Sequence, residues 1–171
     1  MKTTCLKALC VLISAIVTAT IPTANASTQW NERDDEGKTL EGTWITQVTL
    51  VDCQTHQAVA APFISMGTFA RGGTFIETTS SPLFFPAQRG PGHGAWIRTG
   101  HHAYKASSMA LITLNGTLVR IQTIVQTIEM KSPDEIVTTS ATVQFANPDG
   151  TPIPSPAGCA TAVHTRFELQ R

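Results

Sequence analysis

Turn signals cut this chain at short intervals, and between the cuts no window of about ten residues carries an apolar stripe at helical spacing. Arg71-Gly72-Gly73, Thr99-Gly100-His101, Asn115-Gly116 and Ser132-Pro133-Asp134 each suit a tight connection, and Asn-Gly is the strongest two-residue hairpin signal. The material between them is rich in Thr, Val and Ile, as in Val119-Arg120-Ile121-Gln122-Thr123-Ile124-Val125. Side chains branched at Cβ favour pleated strands over helix. About eight strands result, near 43–53, 63–70, 73–79, 94–99, 102–114, 117–130, 135–145 and 160–169. Two longer loops are expected, Ser80 to Gly92 and Asn147 to Gly158. Consecutive hairpins make a meander, and a meander of eight strands is best closed into a single antiparallel up-and-down barrel, which leaves no open sheet edge. A two-sheet sandwich is the alternative.

The N-terminus reads differently. Lys2 and Lys7 precede an apolar run from Ala8 to Val17, and small and polar residues follow, ending Ala24-Asn25-Ala26. This is the pattern of a secretory signal peptide, residues 1–26, removed on export. The run is too short to span about 30 Å of hydrocarbon, so no stable membrane insertion is expected. Residues 27–38 are polar and unperiodic and read as a flexible lead-in, leaving 39–171 as the barrel domain. Without Lys2 and Lys7 the balance of 12 basic and 12 acidic residues becomes ten against 12, a slightly acidic chain with no basic surface for nucleic acid. A secreted or periplasmic destination follows.

Of the four cysteines, Cys53 and Cys159 remain after the signal, an even pair suited to an oxidising compartment. In an even-stranded barrel the end of the first strand and the start of the last lie at the same rim, so a Cys53–Cys159 disulfide would staple the closing seam. Setting Cys53 opposite Cys159 puts Trp44 opposite Glu168 and Thr46 opposite Arg166, which makes Trp44 and Arg166 diagonal neighbours on one face.

Gly42-Thr43-Trp44 at the head of the first strand, with Arg166 late in the last, resembles the calycin superfamily of lipocalin-like barrels. In that family the Arg packs across the Trp to close the base. The lipocalin Thr-Asp-Tyr motif is missing, Tyr104 being the only tyrosine. The resemblance implies a calycin-like fold and, as the commonest activity of such barrels, the binding of a small molecule inside.

If the Trp44 face is the inner one, Ala162, His164 and Arg166 point inward and Val163 and Phe167 outward, giving a lumen of mixed polarity and an apolar outer wall that a second subunit would cover as a homo-oligomer. A small, partly apolar ligand is then expected among Trp44, Phe75, Trp96 and Tyr104, with Arg98, Arg120 and Gln122 as polar contacts and the 80–92 loop as a rim or lid. An alternative is a barrel-type cyclase or isomerase using Glu77, His93 or His164 as acid and base, with Arg120 steadying negative charge. A third reading is a structural or interaction protein whose lumen is filled by side chains. His56, His93, His101, His102 and His164 have no metal-ligand spacing, so no metal is expected, and no nucleotide fingerprint or other cofactor motif is present.

Overall fold

The computed structural model describes residues 39–154 and 158–168. The expected signal peptide and the lead-in to residue 38 lie outside the described residues. Eight strands run in sequence: β1 Gly42–Val51, β2 Phe63–Phe69, β3 Thr74–Thr79, β4 Gln88–Arg98, β5 Ala103–Leu114, β6 Thr117–Ser132, β7 Glu135–Ala146 and β8 Gly158–Arg166. Each pairs antiparallel with the next and β8 returns to β1, so the sheet is a closed up-and-down barrel. The Asn-Gly hairpin forms as its chemistry requires, with φ of 50° at Asn115 and 77° at Gly116.

Two expectations need correction. Trp44 pairs directly with Arg166, and Val51 rather than Cys53 stands opposite Cys159. The register is therefore displaced by two residues from the one set by the cysteines. Cys53 lies just past the end of β1, and its side chain reaches back to Cys159 with the sulfurs at bonding distance and the Cα atoms 5.2 Å apart. Because the displacement is even, Trp44 and Arg166 still share one face. The second correction is β4, which starts at Gln88 instead of near residue 94 and takes in the Arg89-Gly90-Pro91-Gly92-His93 segment expected to be loop.

One end of the barrel is plugged. Leu40, Trp44, Phe69, Phe75, Tyr104, Ala106, Ile128, Met130 and Ile136 form its buried floor, with Trp96 packed against them. Phe69 stacks on Phe75 at 4.4 Å, and Trp96 meets Phe69 and Tyr104 edge-on. Arg166 seals this end. Its guanidinium lies 4.2 Å from the Trp44 ring centre and donates to the carbonyls of Thr39, Glu41 and Pro133 at 2.7–2.8 Å. Gly42 makes room for it, since its φ is +129° and a Cβ there would stand 2.7 Å from the guanidinium. The Gly-x-Trp head of β1 thus has a steric cause. Replacing Arg166 by Lys keeps the charge but loses the planar fork and its stacking. We expect Arg166→Lys to lower unfolding free energy by about 2 kcal/mol in urea titrations.

Outward positions alternate with the lumen. Ile45, Ile64, Met66, Ile76, Met109 and Val163 are all exposed on the outer wall.

Candidate functional site in the barrel lumen

Above the floor the barrel is hollow, with a cavity of about 560 Å³. Small inward residues make the space: Gly67, Ser108, Ala141, Ala160 and Ala162 all line it. Its walls change character with height. Toward the mouth apolar side chains predominate, from Val48 and Leu50 of β1, Phe63 of β2, Leu114 of β5, Val143 and Phe145 of β7, and Leu83 and Phe84 of the β3–β4 connection, with Ser81 and Arg120 among them. Nearer the floor a polar band crosses the lumen in two clusters.

The first cluster is built on a bulge. Arg89 pairs with Ile112 and Gly92 with Ala110, so β4 carries one more residue than β5 across that interval. Gly92, Gly94 and Trp96 alternate inward; the extra residue reverses the alternation and turns Arg89 inward as well. Its side chain, 3% exposed, forms a fork-to-fork ion pair with Glu77. Arg89 Nε donates to Gln122 Oε1, and Ser108 Oγ donates to Glu77 Oε1 at 3.2 Å. Gly92 has to be glycine here, because a Cβ would stand 1.9 Å from Glu77 Oε1. The Phe84 ring lies 6.0 Å from the Arg89 guanidinium on the mouth side.

The second cluster centres on His164. Its Nδ1 meets Thr46 Oγ1 at 2.7 Å and its Nε2 meets Thr138 Oγ1 at 2.8 Å. Thr138 gives its only hydroxyl proton to Gln126 Oε1, so it accepts from His164 Nε2–H. Burial keeps the ring neutral, pushing the imidazole from 6.5 down to about 4, so Nδ1 accepts from Thr46. The linkage has a definite sign: above pH 6.5 both folded and unfolded chains hold a neutral His164, whereas between 6.5 and about 4 only the unfolded chain takes up the proton. Stability from this residue is therefore lost as pH falls through that window, by about 3 kcal/mol in all. A His164→Gln variant should lack that part of the pH dependence when urea unfolding is followed from neutral pH down to about pH 4. An unchanged slope would remove His164 as its source.

The expected site residues divide by height. Phe75, Glu77, Arg120, Gln122 and His164 line the cavity. Trp44 and Tyr104 are buried in the floor below it, and Trp96 is tied there by its Nε1 bond to the Ala70 carbonyl, so these three rings are not among the lining residues. Arg98, at the floor end of β4, is exposed and bonds the carbonyls of Gly100 and His101. His93 faces outward, one residue out of phase with Gly92 and Gly94. The expected rim loop is shorter, ending before Gln88, and only part of it faces inward: Leu83 and Phe84 line the cavity while Phe85 is 87% exposed. Arg89 is the residue that sequence reasoning missed. Its only signal was a lone arginine amid glycine and proline, which reads as loop. Among the described residues no group of three or more His, Cys, Asp or Glu is placed to hold a metal ion.

Comparison with known proteins finds no family model that matches the chain and no curated protein similar to it. The class is therefore defined by architecture alone: an eight-stranded up-and-down barrel with a plugged floor and a hollow, two-zoned lumen.

Proposed function

We propose that this chain is an exported, lipocalin-like barrel that binds one small, partly apolar molecule in its lumen. The observation that carries the reading is the unfilled interior. A cavity of about 560 Å³ falls within the range of pockets that enclose a small organic ligand. Its mixture of apolar side chains and a polar band suits a molecule with both kinds of surface. Export is supported by the signal-like N-terminus and by the Cys53–Cys159 pair, which persists in an oxidising compartment. The calycin likeness rests on Gly42, Trp44 and Arg166, which meet at the floor as that family's base residues do.

The acid–base reading has weaker support. Glu77 and His164 are both inside, but Arg89 and Ser108 occupy the carboxylate and two threonines occupy both imidazole nitrogens. Such groups hold each other in place, with no proton donor or acceptor left aimed at a substrate. The filled-barrel reading is disfavoured by the cavity itself. Native mass spectrometry of protein purified from its own source tests the proposal. A retained small molecule that is released on unfolding is the expected result, and a barrel that is always empty and takes up no apolar probe would sink it.

A further inference from the structure

The inward face of β6 carries hydrogen-bond donors that the protein itself does not use. Gln122 is the clearest case. An arginine can only donate, so the amide atom facing Arg89 Nε must be the oxygen, and Gln122 is held in one orientation with its NH2 left over. Gln126, four residues deeper on the same face, has one partner: its Oε1 accepts from Thr138 at 3.1 Å and its NH2 is left over. Arg120, two residues toward the mouth from Gln122, lines the cavity and has no hydrogen bond or ion pair among the described residues. Among the described residues neither amide NH2 has a partner in the protein either.

The acceptor side is the reverse. Glu77 is the only acidic residue among the described residues of the lining, and its two oxygens are taken by Arg89 and Ser108. Arg89 and Glu77 cancel, and His164 is neutral. Arg120 is then the one uncompensated charge of the lining, at the mouth end of a row of spare N–H groups. Gln122 is buried and Arg120 is exposed at the mouth end; at either, a hydrogen facing a ligand donor is repelled, while one facing an oxygen gains a bond.

We propose, resting on the binding reading above, that the lumen takes an organic acid rich in acceptors and poor in donors, its carboxylate on Arg120 and a carbonyl-type oxygen on Gln122. The spacing sets where that oxygen belongs. Positions two apart on one face of a strand are separated by about 6.6 Å, so the oxygen sits roughly five bonds along an extended chain from the carboxylate. The apolar remainder lies along Val48 of β1 and Ala160 and Ala162 of β8 toward the Phe69 and Phe75 rings.

Four straight-chain probes test this by isothermal titration calorimetry at neutral pH: dodecanoate, dodecan-1-ol, dodecylammonium and 6-oxododecanoate. Dodecanoate should bind about tenfold more tightly than the alcohol, the ammonium most weakly, and the oxo acid several-fold more tightly than dodecanoate. Arg120→Met should erase the acid's advantage over the alcohol, and a circular dichroism spectrum and urea midpoint like the parent's show that the variant is folded. Gln122→Glu keeps an oxygen for Arg89 but replaces the spare NH2, and should erase the gain from the oxo group. Equal binding of acid and alcohol would overturn the inference and leave the binding reading standing. A preference for the ammonium would do the same. Failure of all four probes to bind would overturn the binding reading, and this inference with it.

Discussion

Replacing Arg89 by methionine should cost about 3–5 kcal/mol of unfolding free energy, the largest effect expected of any single lumen substitution. Methionine fills much of the same volume, so the loss is electrostatic. It strands the Glu77 carboxylate, itself only 8% exposed, with Ser108 as its remaining partner, and leaves Gln122 Oε1 without its donor. Taking two charges out of water is repaid only while both are present and well bonded, which is why removing one partner hurts more than removing both. The double variant Arg89→Met, Glu77→Leu should accordingly lose much less than the sum of the single losses, with a coupling energy of about 2 kcal/mol or more. Urea unfolding of the four proteins at neutral pH measures it. Additive losses would mean that the two side chains do not share one desolvated site.

Removing the disulfide should have a comparable effect by an unrelated route. Cys53 and Cys159 are 106 residues apart, and closing so long a loop restricts the unfolded chain by about 4–5 kcal/mol in the chain-entropy model. Little of this comes from native contacts, since Cys53 is exposed and lies outside any strand. The double variant Cys53→Ser, Cys159→Ser should therefore keep the barrel's circular dichroism while its guanidinium midpoint falls sharply, and reductant should lower the parent protein to the same midpoint. A loss below about 1 kcal/mol would show that the unfolded chain is not what the bond restrains. The bond ties β8 to the end of β1 at the mouth, the rim opposite the Arg166 seal.

The strand count, the hairpins, the shared face of Trp44 and Arg166 and the pairing of Cys53 with Cys159 were all legible in the sequence, because each rests on period-two alternation or on turn chemistry. Register was less so. Cys53 was used as a strand residue, whereas it sits beyond the strand and bends back, and nothing in its identity distinguishes the two. The heart of the site was hidden for a stronger reason. Arg89-Gly90-Pro91-Gly92 has the composition of a loop, yet it pairs with β5 as a strand whose proline is accommodated at a bulge. The bulge also inverts the alternation, so no period-two reading that placed Gly92 inside would have placed Arg89 there. Trp96 and Tyr104 were assigned to the correct face of their strands but lie too near the plugged end to meet the cavity. A pattern along a strand reports which way a side chain points; it carries little information on how high in the barrel it stands.

The aromatic floor makes the lumen a blind tube, and a blind tube is a ruler. A guest whose acidic end stays at Arg120 extends its tail only as far as Phe69 and Phe75 allow. Each added methylene gains about 0.8 kcal/mol while there is depth left to fill. Once the tail touches the rings, further length must push the acid out past Leu83 and Phe84 into water, and affinity stops rising. Affinity plotted against chain length would then climb and break at one value, and the position of the break would gauge the depth of the barrel from solution.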